Sequence, residues 1–202
     1  MAIQSFACAD TYALFTTGRC PRFANIKKVA ERKLAQLDAA PSLAFMRAPP
    51  GNDLKEYAGA WHVRVNDQWR LTFKWGDSGP YDVLIEDPHS ERYSFEPTEC
   101  IMLKNGMRAV HPGEILLEDY IKPMGISVRA LSLALHVPYS RLREIVDGKR
   151  GVSADTALRL ERYFGSEAQG WLNLQAAYDL RVAEKLSAKV IFREISPLAM
   201  PA

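Results

Sequence analysis

The chain has 202 residues, of which 48% are hydrophobic, 25% charged and 10% aromatic, the composition of an ordinary globular protein. This composition excludes collagen-like, low-complexity and intrinsically disordered proteins. The length allows one domain or two small ones. Because the formal net charge is only +2, any contact with nucleic acid must depend on local basic clusters that the fold brings together.

Targeting and cofactor signals are missing from the sequence. No run approaches the ~18 consecutive apolar residues of a membrane span. The first residues lack the basic and apolar regions of a secretory signal, so we expect a cytoplasmic protein. The three cysteines are too few and too widely spaced for a disulfide framework, and the four histidines lack the spacing of metal ligands. We therefore expect neither a metal nor an organic cofactor.

The first half of the chain predicts an α+β unit. Residues 22–40 place apolar side chains on one helix face, namely Ile26, Val29, Ala30, Leu34 and Leu37. From residue 61 the period changes to two, which predicts an antiparallel meander of three strands at 61–65, 69–75 and 81–86. The odd positions from Trp61 to Ile85, Tyr81 included, form the apolar face. The even positions form a polar face with His62, Arg64, Arg70, Thr72 and Lys74, with Asp82 and Glu86 on the last strand.

The second half predicts helices throughout. The pattern of N-cap residues, prolines and closing glycines predicts five helices at 112–121, 128–135, 138–146, 154–164 and 167 to about 186. Ser127, Ser153 and Ser166 are the expected N-caps. The tail at 190–192 is apolar enough for a short strand. Between the halves, a polar stretch without periodicity predicts a linker at 93–110, which separates domains at 1–92 and 111–202.

Residues 127–148 have the spacing of a helix-turn-helix. Apolar residues pack two short helices at a steep angle, with the turn at His136 and Val137. This turn usually contains glycine because its backbone has a positive φ, and histidine is one of the residues that tolerates that conformation. The second helix points Tyr139, Ser140, Arg141 and Arg143 outward, and Lys149 and Arg150 follow it. We expect these six residues to form a DNA-binding surface.

Both halves resemble known families. The first half resembles a HigB-type toxin of the RelE superfamily, including its GraT branch, through the segments SFACADTYALFTTG, AERKLAQLDAA, APPGNDL, HVRVNDQWRLTFKW and DVLIEDPH. The second half resembles a HigA-type antitoxin with an Xre-like DNA-binding domain, through the segments MLKNGMRAVHPGEILLEDYI, VPYSRLREIVDGKRGVSADTALRLERYFG and WLNLQAAYDL. The resemblance implies a RelE-like α+β domain followed by an all-α helix-turn-helix domain, with toxin and antitoxin fused in one chain.

For the first half, the resemblance implies a ribosome-dependent endoribonuclease that cuts messenger RNA. Arg64 and Arg70 match family arginines, and Asp87 and His89 match the family's terminal aspartate and histidine. Cleavage by the ribose 2′-OH needs a base, an acid and positive charge at the phosphate, so these four residues are the candidate catalytic residues. The candidate RNA-binding residues are Asn52 and Lys55, in the loop before the sheet, and His62.

For the second half, the resemblance implies an antitoxin that neutralises the toxin within the chain or across a homodimer. It also implies autorepression at palindromic operator DNA. Ser140 and Arg141 are the best candidates for base contacts, and Tyr139, Lys149 and Arg150 for phosphate contacts. We expect part of the last helix to contact the toxin or a second subunit.

An alternative remains open on the same residues. Pro88 stands where the family often has tyrosine, and its ring cannot stack on a base as an aromatic does. In this alternative, the first half is a catalytically inactive dimerisation or sensing module of a DNA-binding regulator. A joining of two adjacent reading frames into one chain is also compatible with the sequence.

Overall fold

A computed structural model describes residues 2–88, here called the N-terminal half, and residues 105–197, the C-terminal half. The predicted candidate His89, most of the predicted linker and the last residues lie outside this part. The first helices of the N-terminal half are α1 (Ala9–Thr17), α2 (Lys27–Ala39) and α3 (Leu43–Arg47), with 3₁₀ turns at Pro21–Phe23 and Pro50–Asn52. The apolar face predicted for α2 is confirmed, since Ala30, Leu34 and Leu37 are fully buried.

The sheet has four antiparallel strands among the described residues, in the order β1 (Lys55–Tyr57), β2 (Ala60–Arg64), β3 (Arg70–Gly76) and β4 (Gly79–Glu86). The prediction of three strands missed β1, which is only three residues long and fully exposed. Lys55 therefore begins a strand and does not lie in a loop. The predicted apolar face is confirmed at its centre, where Val63, Leu71, Phe73 and Val83 are fully buried.

Tyr81 lies on the polar face, and its predicted place on the apolar face is wrong. Asp82 has a φ of 51°, and the pairing of β3 with β4 shifts by one residue between Thr72 and Lys74. Such a bulge reverses the alternation of side chains beyond it. Tyr81 thus pairs with Lys74 across the ladder, and the Lys74 ammonium lies 5.8 Å from the centre of its ring.

The described C-terminal half is helical, with α4 (Pro112–Ile115), a π-helical turn (Leu116–Ile121), α5 (Val128–Ala134), α6 (Tyr139–Val146), α7 (Ala154–Phe164) and α8 (Ala168–Glu194). Ser127 and Ser153 cap their helices as predicted. The predicted cap at Ser166 is wrong, because Glu167 occupies the N-cap position and the Ser166 hydroxyl accepts a hydrogen bond from the Trp171 indole at 2.8 Å. The expected strand at 190–192 is part of α8, which continues to Glu194.

The two halves share one continuous apolar core. Phe45 of α3 lies edge-on to Trp171 of α8, with ring centroids 6.1 Å apart. Residues 105–110, the described part of the predicted linker, pack on the end of α1. A Cβ atom at Gly106 would lie 1.8 Å from the Thr16 carbonyl oxygen, so only glycine fits there.

Candidate functional site

The outer face of the sheet, on the side away from α2, gathers most of the predicted RNA-binding and catalytic residues. The register places Arg64 directly opposite Arg70, and Arg70 opposite Glu86. One row further along, Lys55 is opposite His62 and His62 is opposite Thr72. Residues that are opposite in an antiparallel ladder project from the same face. The structure therefore brings Lys55, His62, Arg64 and Arg70 onto one surface, hereafter called the outer sheet face.

Residues of the turn between β2 and β3 accept hydrogen bonds from both arginines. Arg64 forms an ion pair with Asp67, while Arg70 Nη1 donates to the carbonyl of Asn66 and, at 3.0 Å, to that of Trp69. Asp67 is almost fully exposed, and exposed ion pairs contribute only about 0–1 kcal/mol. Replacing Asp67 by another anion at Arg64 therefore costs little free energy.

A hydrogen-bonded array crosses the outer sheet face beside these arginines. The Thr72 hydroxyl lies 3.0 Å from His62 Nδ1 and 2.8 Å from Glu86 Oε1, and His62 Nε2 lies 3.3 Å from the Tyr57 carbonyl. The Thr72 hydroxyl donates to Glu86 and can accept from His62 Nδ1, so it links the two side chains. Alternation placed Thr72 and Glu86 on this face, but only the structure shows that Thr72 contacts both His62 and Glu86.

Asp87 follows β4 and accepts a hydrogen bond from Gln68 Nε2 at 2.9 Å. It lies next to the row of Arg64, Arg70 and Glu86, at the end of the sheet where the described part of the N-terminal half stops. The catalytic role of Asp87 stays a prediction.

Asn52 does not belong to the outer sheet face. Its side chain is fully buried, donates to the Met46 carbonyl at 2.8 Å and accepts from Lys33 Nζ at 2.5 Å. RNA has no access to it in this structure. We therefore correct its place from an exposed loop contact to an internal support for Lys33, and leave it out of the RNA-binding set.

The helix-turn-helix forms as predicted. His136 adopts a φ of 52° at the turn, and the apolar residues expected to pack its helices are all buried, namely Leu131, Leu135, Val137, Leu142 and Ile145. Five of the six predicted DNA-binding residues are exposed and Arg141 is half-buried. Three of them form ion pairs with nearby carboxylates: Arg141 with Asp155 at 3.4 Å, Arg143 with Asp147 at 3.0 Å and Arg150 with Glu144 at 2.6 Å. These exposed pairs hold the guanidinium groups near the surface of α6.

A buried polar contact joins the two halves, and sequence reasoning missed it. The Asp119 carboxylate accepts hydrogen bonds from Arg32, Lys33 and Gln36 of α2, at distances from 2.7 to 3.2 Å. None of these three residues belongs to the predicted apolar face of α2. Burial lowers the pKa of Lys33 below its ordinary value, and the negative charge of Asp119 opposes that shift. Two acidic residues among apolar ones at 115–121 were the only signal in the sequence.

A second polar contact flanks the first. Arg108 forms ion pairs with Glu31 of α2 at 3.1 Å and with Glu114 of α4 at 2.8 Å. The surfaces that join the halves are thus built from charged groups as well as from the aromatic contact of Phe45 with Trp171.

The described residues contain neither a metal-binding cluster nor a membrane-spanning helix. Residues 2–88 and 105–197 contain no group of three or more histidine, cysteine, aspartate or glutamate side chains that could hold a metal ion. Within the same ranges, none of the helices is sufficiently long and apolar to traverse a bilayer.

Comparison with known proteins identifies both halves. Residues 15–89 match the family model of the "RelE-like toxin of type II toxin-antitoxin system HigB". The chain is 39% identical to Toxin HigB-1 of Vibrio cholerae over 69 residues, which are 32% of this chain and 72% of that protein. It is 36% identical to Antitoxin HigA-1 of the same organism over 80 residues, 39% of this chain and 74% of that protein.

A third relative has a higher identity. Virulence-associated protein I of Dichelobacter nodosus is 65% identical over 82 residues, which are 41% of this chain and 76% of that protein. The RelE-like α+β fold of the N-terminal half and the helix-turn-helix of the C-terminal half agree with these matches. The chain therefore belongs to the HigB-like toxin family through its N-terminal half and to the HigA antitoxin family through its C-terminal half, joined in one polypeptide.

Proposed function

We propose that this protein is a self-contained toxin-antitoxin module of the cytoplasm. Its N-terminal half is an endoribonuclease that cuts messenger RNA on the ribosome. Its C-terminal half silences that activity, dimerises and represses its own promoter. The domain limits that we propose are residues 1–92 and 111–202.

Cleavage proceeds by attack of the ribose 2′-OH on the neighbouring phosphorus, which breaks the bond to the 5′-oxygen and leaves a cyclic phosphate. Arg64 and Arg70 bind the phosphate and stabilise the charge of the transition state. Asp87 and His89 exchange protons with the attacking and leaving oxygens, as the family resemblance implies. Lys55 and His62 bind the RNA strand beside them.

One observation carries the proposal for silencing. The C-terminal half docks on α2 through Asp119, and one end of the outer sheet face borders it, where Arg64 lines a cleft together with Glu118 and Asp119. Among the described residues, no hydrogen bond or ion pair joins Lys55, His62, Arg64 or Arg70 to the C-terminal half. Silencing therefore acts by adding bulk beside these residues, which keeps the toxin half out of the decoding site.

The C-terminal half binds operator DNA through α6. Ser140 and Arg141 contact base edges, while Tyr139, Arg143, Lys149 and Arg150 contact phosphates or flank them. Two helix-turn-helix units of a dimer match the two half-sites of a palindrome. Replacing Arg141 by alanine should relax sequence preference, whereas replacing Lys149 should weaken binding to all sequences alike and reduce its salt dependence. Gel-shift titrations with the DNA upstream of the coding region, at two salt concentrations, test this.

A second candidate function keeps only the DNA-binding role. Pro88 in place of the family's tyrosine, and the engagement of Arg64 and Arg70 by the turn between β2 and β3, favour a toxin half that has lost catalysis. Such a protein is a transcriptional regulator with a RelE-like dimerisation or sensing module.

Expression in growing cells separates the two candidates. Residues 1–92 alone are compared with the full chain and with the Arg70→Ala, His89→Ala double variant of the fragment. The proposal expects growth arrest and fragmented messenger RNA with the unaltered fragment only. A soluble, folded fragment that leaves growth and messenger RNA intact supports the regulator instead.

A further inference from the structure

The contact of Asp119 with α2 completes the hydrogen bonding of the Lys33 ammonium group. Lys33 has three ammonium protons, and three acceptors surround it: the Gly51 carbonyl at 3.2 Å, Asn52 Oδ1 at 2.5 Å and Asp119 Oδ1 at 2.7 Å. Two of these acceptors belong to the N-terminal half. That half therefore directs two of the three N–H groups inward, and the third is left for a partner.

The surrounding residues complete this arrangement. Arg32 Nε and Nη2 lie 3.0 and 3.2 Å from the two carboxylate oxygens of Asp119, and Gln36 Nε2 lies 2.7 Å from Oδ2. Asn52, which orients Lys33, is itself anchored to the Met46 carbonyl. We call the four side chains of Arg32, Lys33, Gln36 and Asn52 the α2 socket. All four are more than nine-tenths buried.

The backbone of the C-terminal half supplies the matching element. Asp119 lies in the π-helical turn Leu116–Ile121, whose wider spacing is shown by the hydrogen bond from Lys122 N to Leu117 O at 3.0 Å. In this turn, neighbouring residues face different partners. Asp119 points to the α2 socket, while the Tyr120 ring packs against Phe164 and Trp171 at 4.7 and 5.3 Å in its own half. Single π-helical turns of this kind are frequent at functional sites.

We propose that the π-helical turn is the recognition element of the antitoxin half, and that Asp119 selects toxin domains that carry the α2 socket. The partner is the toxin domain of this chain, or a separate domain with the same Arg-Lys-x-x-Gln arrangement on this helix. A domain without these donors leaves the Asp119 carboxylate buried and unpaired, which strongly disfavours docking. Asn52 is a positioning residue, since it acts through Lys33.

This inference rests on the proposed silencing by docking, but it is tested by association alone. A protease-recognition sequence is inserted at 93–104 of the full chain, the purified protein is cut, and the dissociation constant of its two halves is measured by dilution with native mass spectrometry. The variants are Asp119→Asn, Lys33→Met and their combination. Glu118→Gln is the matched control, because Glu118 neighbours Asp119 but pairs with Lys122 of its own half at 2.6 Å.

We expect the cut wild-type halves to stay together and each single variant to weaken association roughly a hundred-fold or more, as for other buried pairs that lose one partner. Glu118→Gln should change association less than about three-fold. The loss of affinity in the double variant should be at least ten-fold smaller than the product of the two single-variant losses, because the two residues act on one contact. Near-UV circular dichroism of the uncut protein checks that Asp119→Asn is folded, and Lys33→Met tests the same contact from the other half.

Three results would overturn the inference. The first is spontaneous separation of the cut wild-type halves, and the second is an equal weakening of association by Asp119→Asn and Glu118→Gln. The third is a double variant whose loss of affinity equals the product of the two single-variant losses. Failure of the nuclease proposal looks different. The fragment 1–92 is then harmless in cells although the cut halves still associate through Asp119.

Discussion

Lys33 Nζ lies 2.7 Å from Asp119 Oδ1, although 86 residues separate the two along the chain. This contact fixes the antitoxin half on the helix side of the toxin half. Arg64 of the outer sheet face lines a cleft with Asp119, but no hydrogen bond or ion pair among the described residues joins it to the antitoxin half. The position of one carboxylate thus relates the two proposed activities, since it places the antitoxin half beside the proposed RNA-binding residues without pairing with them.

Replacing Asn52 by alanine should lower the free energy of unfolding by about 1–3 kcal/mol, because the Lys33 ammonium and the Met46 carbonyl each lose a buried partner. Urea denaturation of the full chain measures this. Lys55→Ala serves as the control, because Lys55 is exposed and its ion pair with the nearby Asp53, at 3.0 Å, is exposed as well, so its loss should cost less than about 1 kcal/mol. A neutral Asn52→Ala would refute the internal role assigned to Asn52.

Replacing Gly170 by alanine should destabilise the protein even though alanine favours a helix. A Cβ atom there would lie 2.3 Å from Phe45 Cε2. Overpacking of this kind costs about 1–3 kcal/mol, more than the ~1 kcal/mol gained in helix propensity. Adding Phe45→Leu should recover part of the loss. Thermal unfolding of the two single variants and the double variant measures this, and equal melting temperatures for all three would contradict the close packing of α3 on α8.

Stability should fall as the pH drops from about 7 to 5 because of His111. Its Nδ1 atom accepts the Gly113 N–H at 2.9 Å at the start of α4. Burial lowers the pKa of His111 below its ordinary value of 6.5, against the opposing charges of Asp179 and Glu114. The unfolded chain therefore takes up the proton first as the pH falls, and this uptake favours unfolding.

His111→Asn is the control for this pH dependence, because asparagine also caps helices but does not titrate in this range. Urea midpoints measured at intervals from pH 7.5 to 5 should decrease more steeply for the wild type than for the variant. Parallel curves would show that His111 makes no contribution.

The stability of variants at His136, in the turn of the helix-turn-helix, should depend on whether the new residue tolerates a positive φ. With a φ of 52°, valine should lower the free energy of unfolding by about 1–2 kcal/mol, whereas glycine should leave it within about 1 kcal/mol. Chemical denaturation of His136→Val and His136→Gly compares them. A valine variant as stable as the glycine variant would contradict the left-handed backbone of this turn.

The sequence predicted those parts of the structure that depend on local periodicity. Alternation placed His62, Arg64 and Arg70 on one face, and spacing located the helix-turn-helix with the unusual conformation at His136. Tyr81 was misplaced because a bulge at Asp82 interrupts the alternation, and a bulge of one residue leaves little trace in the pattern. The α2 socket was missed because its residues are polar, and three of them pair with Asp119, which is more than 80 residues away in the sequence.

The resemblance to known families predicted functions, but it did not predict how the two halves meet. Asn52 shows the difference: its position near the sheet suggested an RNA contact, whereas in the structure its buried side chain accepts a hydrogen bond from Lys33. The catalytic assignments of Arg64, Arg70, Asp87 and His89 stay predictions, with the first three brought to one end of the outer sheet face and His89 beyond the described residues.

The most direct test of the central claim is growth of cells that express residues 1–92, with and without residues 105–202 expressed from a second promoter. The account predicts that the first fragment alone arrests growth and that the second restores it, except when the second carries Asp119→Asn. A folded first fragment that leaves growth unchanged, or growth arrest that the second fragment does not relieve, would contradict a toxin and its antitoxin in one chain.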